Sequence, residues 1–256
     1  EKGEDVIKYG QPIGHALTKI KTGEHVHTHN IKTNLDDLLE YEYTPNLDLF
    51  SDFKKKTSDK YFQGYVRPDG QVGIRNEVWI IPTVGCVNIT ANKLAQTANE
   101  LYKGKTDGIF AYTHYMGCSQ LGDDHKTTQK LLKGIINNPN AGGVLVLSLG
   151  CENNNLNDFI PVLDDYDPNR VKFLVTQEAE DEYESGMELL DELVDYTSRM
   201  KREKVSADQR VLGFKCGGSD VFSGISANAL CGRVNDTLVK LGGTTILTEV
   251  PEMFGA

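Results

Sequence analysis

Short apolar runs alternate with longer amphipathic stretches along most of this chain. The runs predict six strands, at residues 78–84, 108–113, 143–149, 171–175, 211–215 and 244–250. The stretches between them predict five helices, at residues 89–103, 123–137, 156–163, 178–199 and 224–240. Asp123 is a suitable N-cap for the second helix. Strict alternation of strands and helices is typical of a parallel sheet covered on both faces, so an α/β fold is expected.

The first 60 residues have a different pattern. Residues 1–35 are glycine-rich and β-like, with turn signals at 11–14 and 21–24. Residues 36–60 are acidic, then proline-containing, then lysine-rich, which is typical of a linker. A turn signal at 67–70 separates two short strand-like runs, 61–66 and 72–76. Because the chain stops just after its last predicted strand, we expect it to be part of a longer protein.

Composition narrows the class of protein. Hydrophobic residues make up 39% and charged residues 25%, as in ordinary globular proteins. No apolar run approaches the length of about 20 residues that spans a bilayer, and no signal-peptide pattern is present. The net charge of −10 makes nucleic acid a poor candidate for a partner, and without a long apolar run no membrane partner is expected. Five cysteines without a secretory signal indicate a reducing compartment, and we expect a cytoplasmic protein.

Four cysteines follow the ends of predicted strands. Cys86, Cys118, Cys151 and Cys216 are 32, 33 and 65 residues apart, and one strand–helix–strand unit takes about 30 residues. The spacing predicts all four thiols at one edge of a single sheet, the last two strands further along. Ligands of open α/β sheets bind at the carboxyl ends of the strands. The alternative is that each cysteine is a small buried residue at a tight strand end, but the repetition favours a site.

Polar groups accompany these turns. Asn88, Gln120 and the asparagines at 153–155 follow the first three cysteines. Glycines and hydroxyls at 217–220 and 223–228 could form an anion-binding nest or a flexible loop. No strand end carries the G-x-G-x-x-G fingerprint, which disfavours a nicotinamide-dependent dehydrogenase. Cys231 lies within a predicted helix and is expected to pack.

Histidines and arginines add further candidates. If residues 24–30 form a strand, then His25, His27 and His29 share one face, where they suit a metal or a proton relay. The alternative is an exposed polar face. His114 and His125 could each be a general base or a structural histidine. Three residues flank the turn before the first core strand and could hold a carboxylate or form a surface salt bridge: Arg67, Arg75 and Asn76.

At these residues the chain resembles the altronate dehydratase family, which includes the more distant galactarate dehydratases. The matching stretches keep their order along nearly the whole chain: 6–14 (VIKYGQPIG), 23–30 (GEHVHTHN), 69–77 (DGQVGIRNE), 82–88 (PTVGCVN), 117–125 (GCSQLGDDH), 149–154 (LGCENN), 216–220 (CGGSD) with 223–225 (SGI), and 247–256 (LTEVPEMFGA). The resemblance to the altronate enzymes is closer, because the galactarate enzymes depart at residues 121–125.

The resemblance implies a fold and an activity. Residues 1–35 would be the C-terminal part of a SAF-like β domain and 36–60 a linker. Residues 61–256 would be a parallel-sheet α/β dehydratase domain, truncated at its C-terminal end. The implied reaction is a hydro-lyase step of hexuronate catabolism that converts D-altronate to 2-dehydro-3-deoxy-D-gluconate. Metal-assisted loss of the C2 proton would precede loss of the C3 hydroxyl, with Fe²⁺ or Mn²⁺ as cofactor.

Roles for individual residues follow from that chemistry as hypotheses. The catalytic group is His27, His29, His125 and Cys118. The metal-binding group is His27, His29, Cys86, Cys118, Cys151 and Cys216. The substrate-binding group is Arg75, Asn88, Gln120, Gly217, Gly218, Ser219 and Asp220. The thiols could instead hold an iron–sulfur cluster or contact only the substrate. The expected partner is a small anionic sugar acid, in a possible homo-oligomer.

Three alternatives stay open. A galactarate dehydratase would use the same site on a different sugar acid. A sulfolactate sulfo-lyase resembles this dehydratase domain but carries its β domain on a separate chain, whereas both share one chain here. A non-catalytic protein that binds sugar acids or metal would show saturable binding without turnover.

Overall fold

The computed structural model describes residues 1–8, 11–34, 59–215 and 221–249. Its contacts divide the chain into two units. The terminal unit is drawn from Glu1–Lys60 and Ser206–Ala256, and the central unit from Tyr61–Val205. Of the predicted linker at 36–60, only residues 59 and 60 belong to the described part. No helix in the described ranges combines the length and apolar character needed to cross a bilayer.

The terminal unit begins with a small antiparallel sheet. Its strands are β1 (Asp5–Lys8), β2 (Gln11–Ala16) and β3 (Ile31–Lys32), in that order across the sheet. Close pairing of β2 with β3 requires glycine at position 14, because a Cβ there would lie 2.3 Å from the main-chain oxygen of Lys32. This sheet confirms that the N-terminal segment is β-structured.

The central unit contains seven strands and four helices in the described chain. Their bounds are β4 (Tyr61–Val66), β5 (Val72–Gly73), β6 (Glu77–Pro82), α1 (Asn88–Leu101), β7 (Ile109–Ala111), α2 (Gly122–Ile136), β8 (Ala141–Ser148), α3 (Leu156–Phe159), β9 (Val171–Val175), α4 (Glu182–Ser198) and β10 (Glu203–Ser206). A parallel sheet has the order β7-β6-β8-β9. A second sheet has the order β10-β4-β5, in which β4 and β5 form the predicted hairpin.

Both faces of the parallel sheet are apolar and covered, as predicted. Ile80 of β6 and Leu145 of β8 belong to one buried cluster, with side chains from α1 and α4. Trp79 and Val144, each one residue earlier, belong to the other cluster, with side chains from α2 and residues 156–163. Side chains alternate between the two faces of a strand, so a continuous apolar run is what a doubly covered strand requires. All eight residues of β8 are buried.

The predicted N-cap of the second helix was wrong. Helix α2 begins at Gly122 after an extended Leu121, which provides no side-chain cap, so Asp123 is not the N-cap. Gly122 has φ +60°, a left-handed conformation that glycine adopts without a steric cost. Asp123 and Asp124 instead occupy the first turn, where the positive end of the helix dipole stabilises their carboxylates.

The last two strands do not join the parallel sheet, contrary to the prediction of a single sheet. In the terminal unit, β11 (Val211–Phe214) and β12 (Thr244–Leu247) pair with each other in parallel, and no other described strand joins them. The chain leaves the parallel sheet after β9, because β10 adds to the β4 hairpin instead. Between β11 and β12 lie two helices, α5 (Val221–Ile225) and α6 (Ala227–Lys240).

Cys231 lies on α6 and was wrongly predicted to pack. Its thiol is free and exposed. The side chain that α6 buries is Leu238, which lies close to two helical turns beyond Cys231. Cys231 therefore provides an exposed thiol far along the sequence from the three cysteines of the central unit.

Arg67 is a buried structural residue. Only 3% of it is exposed. Its guanidinium donates to the main-chain oxygens of Pro139 and Arg75, at 2.8 and 2.9 Å, and to the Asn76 side-chain oxygen at 2.9 Å. Burial, reinforced by the nearby charge of Arg170, lowers the pKa of Arg67 to about 10. Arg67 therefore joins the chain segments that enter β6 and β8, and among the described residues it forms no salt bridge.

Replacing Arg67 by methionine should destabilise the protein. The change leaves buried carbonyl oxygens without donors, which should lower the free energy of unfolding by about 2–4 kcal/mol. Urea denaturation followed by circular dichroism measures the change. Arg75→Met is the matched control, because Arg75 is exposed and its replacement should change stability by less than about 0.5 kcal/mol. Equal stability of both variants would contradict the structural role of Arg67.

Candidate functional site

Three loops lie at the carboxyl edge of the parallel sheet and together form what we call the thiol edge. They follow β6, β7 and β8 and comprise residues 83–87, 112–121 and 149–155. Cys86, Cys118 and Cys151 each lie on one of them, and all three thiols are exposed. Because β7, β6 and β8 are adjacent and parallel, the three loops emerge on the same side. The predicted common edge is confirmed for these three cysteines, and none of them is buried within the described part of the chain.

Hydrogen bonds connect the three loops to one another. The Gly85 N–H donates to the Met116 oxygen at 2.8 Å, which joins the loops after β6 and β7. The Asn153 N–H donates to the Cys118 oxygen at 2.9 Å, and the Asn153 side chain donates to the Gln120 oxygen at 3.1 Å. These bonds join the loops after β7 and β8. The thiol edge is thus one connected surface rather than three independent loops.

Glu152 is a buried residue of the thiol edge, with only 2% of its surface exposed. Its carboxylate accepts hydrogen bonds from the hydroxyls of Thr83 (2.5 Å) and Ser148 (2.6 Å). It also accepts from the N–H groups of Leu149 (3.1 Å) and Gly150 (2.6 Å). The carboxylate therefore joins the end of β6 to the end of β8. Sequence reasoning missed this role, although an acidic residue in the short loop after a mostly apolar strand was a usable signal.

The surroundings of Glu152 favour its charged form. Burial by itself would raise the pKa of this carboxyl, but the hydrogen bonds from Ser148, Thr83 and the main-chain N–H groups hold the pKa below its usual range. In the described residues, no ion pair balances the charge of Glu152, so the stabilisation comes from oriented dipoles.

His125 and His114 have different surroundings. His125 is half-buried in the first turn of α2, and its Nε2 lies 3.3 Å from the side-chain oxygen of Asn154. The Asn154 amino group donates to the Thr83 oxygen at 3.1 Å. His114 donates from Nε2 to the Pro82 oxygen at 2.9 Å, and its Nδ1 accepts the Met116 N–H at 3.2 Å. Both ring nitrogens of His114 are thus occupied by main chain, which supports its structural alternative.

Residues 25–30 form a turn and no strand, so His25, His27 and His29 do not share one face of a strand. Asn30, which is 4% exposed, accepts the His27 N–H and donates to the His25 oxygen, both at 2.9 Å. These contacts bend the main chain and prevent strand pairing there. The rings still cluster, since the His25 centroid lies 5.6 Å from that of His27 and 6.0 Å from that of His29. We call residues 25–30 the histidine turn.

The predicted metal ligands do not converge on one point in this structure. Among the described residues, no group of three His, Cys, Asp or Glu side chains is placed to hold a metal ion. In the histidine turn, the rings stack at interplanar angles of 16° and 29°, so they present faces to one another. These side chains, as placed, do not fit a metal centre. The assignments of His27, His29, Cys86, Cys118 and Cys151 to a metal stay predictions.

The predicted substrate-binding residues are only partly brought together. Asn88 starts α1 at the thiol edge, donates to the His114 oxygen at 2.7 Å, and has a buried side-chain oxygen without a hydrogen-bond partner in the described structure. Gln120 is half-buried on the loop after β7. Arg75 is exposed and precedes β6, at the opposite edge of the sheet. Cys216, Gly217, Gly218, Ser219 and Asp220 lie outside the described residues.

Family models cover most of the chain. The model described as "Altronate/galactarate dehydratase SAF domain" matches residues 1–34. The model "D-galactarate dehydratase/Altronate hydrolase, second domain" matches residues 64–198, which include the thiol edge. The model "D-galactarate/Altronate dehydratase, C-terminal" matches residues 207–256.

Known proteins similar to this chain include two altronate dehydratases. That of Escherichia coli K12 is 49% identical and that of Bacillus subtilis 168 is 48% identical, each over 100% of this chain and 51% of the relative. The galactarate dehydratase (L-threo-forming) of Escherichia coli K12 is 27% identical over 97% of this chain and 50% of the relative. The chain thus spans about half the length of the curated relatives it matches.

Replacing Glu152 by glutamine should lower stability in a pH-dependent way. The amide turns one acceptor into a donor that faces bonded N–H and O–H groups, which should cost about 1–3 kcal/mol of unfolding free energy at pH 7. Since the folded-state pKa of Glu152 lies below its unfolded value, the wild-type advantage is complete above the unfolded pKa of about 4.3 and is lost as pH falls through the folded pKa.

Urea denaturation at pH 7 and at progressively lower pH tests this prediction. The control is Glu178→Gln, because Glu178 is exposed just beyond β9. It should leave stability unchanged within about 0.5 kcal/mol. If Glu152→Gln were as stable as the wild type at pH 7, the anchoring role of the carboxylate would be wrong.

Proposed function

Since the chain belongs to the D-galactarate dehydratase/altronate hydrolase family, we propose that it forms part of a sugar-acid dehydratase acting on D-altronate. The identity of 49% and 48% with two altronate dehydratases, against 27% with a galactarate dehydratase, supports altronate as the substrate. The product is 2-dehydro-3-deoxy-D-gluconate, an intermediate of hexuronate catabolism. The single structural observation that carries the proposal is the connected thiol edge with a half-buried histidine, His125, beside it.

The reaction makes definite demands on its site. The proton on C2 of the sugar acid is removed by a base, which leaves an enediolate next to the carboxylate. Hydroxide then leaves C3 and takes up a proton, so that water departs and the enol product rearranges to the 2-keto acid. The site must therefore provide a base, an acid and donors that stabilise extra negative charge.

The thiol edge provides groups of each kind. His125 is the base, because its ring is half-buried and its Nδ1 has no hydrogen-bond partner among the described residues. Cys118, whose exposed thiol lies on the loop that leads into α2, is the candidate acid for the departing hydroxyl. Helices α1 and α2 both begin at this edge, and their positive dipole ends, together with the first N–H groups of α2, favour a carboxylate.

Substrate recognition is assigned to polar groups of the same edge. The buried, unpartnered oxygen of the Asn88 side chain is an acceptor for a sugar hydroxyl. Gln120 is half-buried on the neighbouring loop and provides an amide within the same surface. An open-chain sugar acid carries one carboxylate and several hydroxyls, which matches a surface of amides and helix N-termini.

Dependence on Fe²⁺ or Mn²⁺ is kept as a prediction. A bound divalent ion would act as a Lewis acid on a substrate oxygen. The imidazoles of the histidine turn and the thiols are ligand types that iron accepts, but no step is derived through a metal, since the described side chains do not converge on one. An iron–sulfur cluster and a homo-oligomer likewise remain predictions.

Turnover of altronate tests the proposed function. The full-length protein, purified without oxygen and supplied with iron(II), should form a 2-keto-3-deoxy acid from altronate, measured by a colorimetric assay for that product. Galactarate and sulfolactate, offered separately at the same concentration, should give at least about tenfold lower kcat/KM, because a site built for one hydroxyl pattern leaves groups unpaired with another.

Other outcomes would point to the alternatives. Turnover of galactarate alone would contradict the substrate, and release of sulfite from sulfolactate alone would indicate a sulfo-lyase. Saturable binding of altronate without product would indicate a non-catalytic binding protein. Omission of iron(II) serves as the control for the metal dependence.

A further inference from the structure

Asn154 joins the ends of two loops at the thiol edge and is 6% exposed. Its amino group lies 3.1 Å from the main-chain oxygen of Thr83, and its side-chain oxygen lies 3.3 Å from Nε2 of His125. A main-chain carbonyl can only accept a hydrogen bond, so the amino group of Asn154 must face Thr83. The carboxamide oxygen therefore faces His125, and Nε2 of His125 must carry a proton.

This arrangement determines which nitrogen of His125 can act as a base. A neutral imidazole with its proton on Nε2 keeps its lone pair on Nδ1. No described residue forms a hydrogen bond with Nδ1. An imidazole base is oriented for proton transfer when a neighbouring group forms a hydrogen bond with the ring nitrogen that does not transfer the proton. The contact of 3.3 Å is long, which is common before substrate binds.

We propose that Asn154 is a positioning residue that fixes His125 in the tautomer whose Nδ1 removes the C2 proton of the sugar acid. The inference rests on the proposed function and adds to it a residue that acts through His125 rather than on the substrate. In the proton transfer, the C2–H bond breaks, its electron pair remains on the enediolate, and the proton moves to Nδ1. The resulting imidazolium carries a proton on each nitrogen, and Asn154 still accepts the one on Nε2.

The position of Asn154 is itself well determined. Thr83, its partner, is buried at the end of β6. The Thr83 N–H donates to the Leu147 oxygen at 2.9 Å, and the Thr83 hydroxyl donates to Glu152 at 2.5 Å. Rotation of the Asn154 carboxamide would bring its oxygen against the Thr83 oxygen and remove the hydrogen bond that this buried carbonyl accepts from Asn154, at a cost of about 1–3 kcal/mol. The Thr83 carbonyl thus determines the orientation of Asn154, and Asn154 determines that of His125.

Charged and titratable groups lie on each of the surrounding elements, and those of the loop after β7 include Tyr112, His114 and Tyr115. Asp123, Asp124 and Lys126 lie on α2 beside His125, and all three are exposed. Glu152 is in the loop that carries Asn154, and the thiols of the same edge are those of Cys86, Cys118 and Cys151. Asp158 lies on the following short helix. None of these groups is changed in the variants below, so a shift between variants reports on position 154.

The first test compares pH profiles of kcat/KM for altronate in the full-length protein. Asn154→Asp places a carboxylate beside Nε2, which favours the imidazolium, so the acid limb should move to higher pH by about one unit or more. Asn154→Ala should lower kcat by about tenfold with little change in KM, since only the orientation of the base is lost. Asn157→Asp adds the same charge three residues away, at an exposed position, and should leave the acid limb in place.

His125→Gln provides the reference for the base. Its amide can still donate to Asn154, but it cannot take up a proton, so kcat should fall by about 100-fold or more. Thermal unfolding of each variant checks that the fold is retained. If Asn154→Asp turned over altronate with its acid limb at the same pH as in the wild type, the inference would be overturned.

A second measurement does not depend on turnover. Histidine-selective NMR labelling follows the ring proton of His125 through a pH titration, with the signal assigned by its absence in His125→Gln. The titration midpoint should be higher in Asn154→Asp than in the wild type and in Asn157→Asp. An unchanged midpoint overturns the inference even if the enzyme is active. If the midpoint shifts but the protein does not dehydrate altronate, the proposed function is refuted. The interaction by which Asn154 orients His125 is then still supported.

Discussion

The carboxylate of Glu152 is the interaction on which the thiol edge depends. Strands β6 and β8 are held together along their length by parallel pairing and by apolar side chains on both faces. Where the strands end, the main chain turns into loops that have no such core. At that point Glu152 accepts hydrogen bonds from two hydroxyls and two N–H groups, which belong to the ends of both strands. Because the charge is buried, it is stable only while all these donors point at it, and this requirement fixes the loops.

Much of the central fold could be predicted from the sequence. Strand β9 has the predicted bounds, and the other core strands and helices lie within a few residues of theirs. The reason is local: a strand covered on both faces must be apolar throughout, and an amphipathic helix must repeat every 3.6 residues. The common edge of Cys86, Cys118 and Cys151 followed from the same pattern, since parallel strands place their carboxyl ends together.

The parts that could not be predicted depend on contacts between residues distant in sequence. No local pattern indicates that β10 adds to β4, and this pairing ends the parallel sheet before β11. The histidine turn depends on the buried side chain of Asn30, whose bonds to the main chain of His25 and His27 replace strand pairing. The tautomer of His125 likewise depends on a carbonyl at position 83, reached through Asn154. Periodicity reports which face a residue occupies, but not which partner it meets there.

If the three loops form one substrate-binding surface, one ligand should shield all three thiols together. Alkylation by iodoacetamide, resolved cysteine by cysteine with mass spectrometry, measures this in the full-length protein during brief exposure to altronate. Altronate should slow the alkylation of Cys86, Cys118 and Cys151, with the same half-saturating concentration of altronate for all three. The alkylation rate of Cys231, which is exposed on α6, should not change. Unchanged rates for the three thiols at saturating altronate, or equal slowing of Cys231, would contradict a single site at the thiol edge.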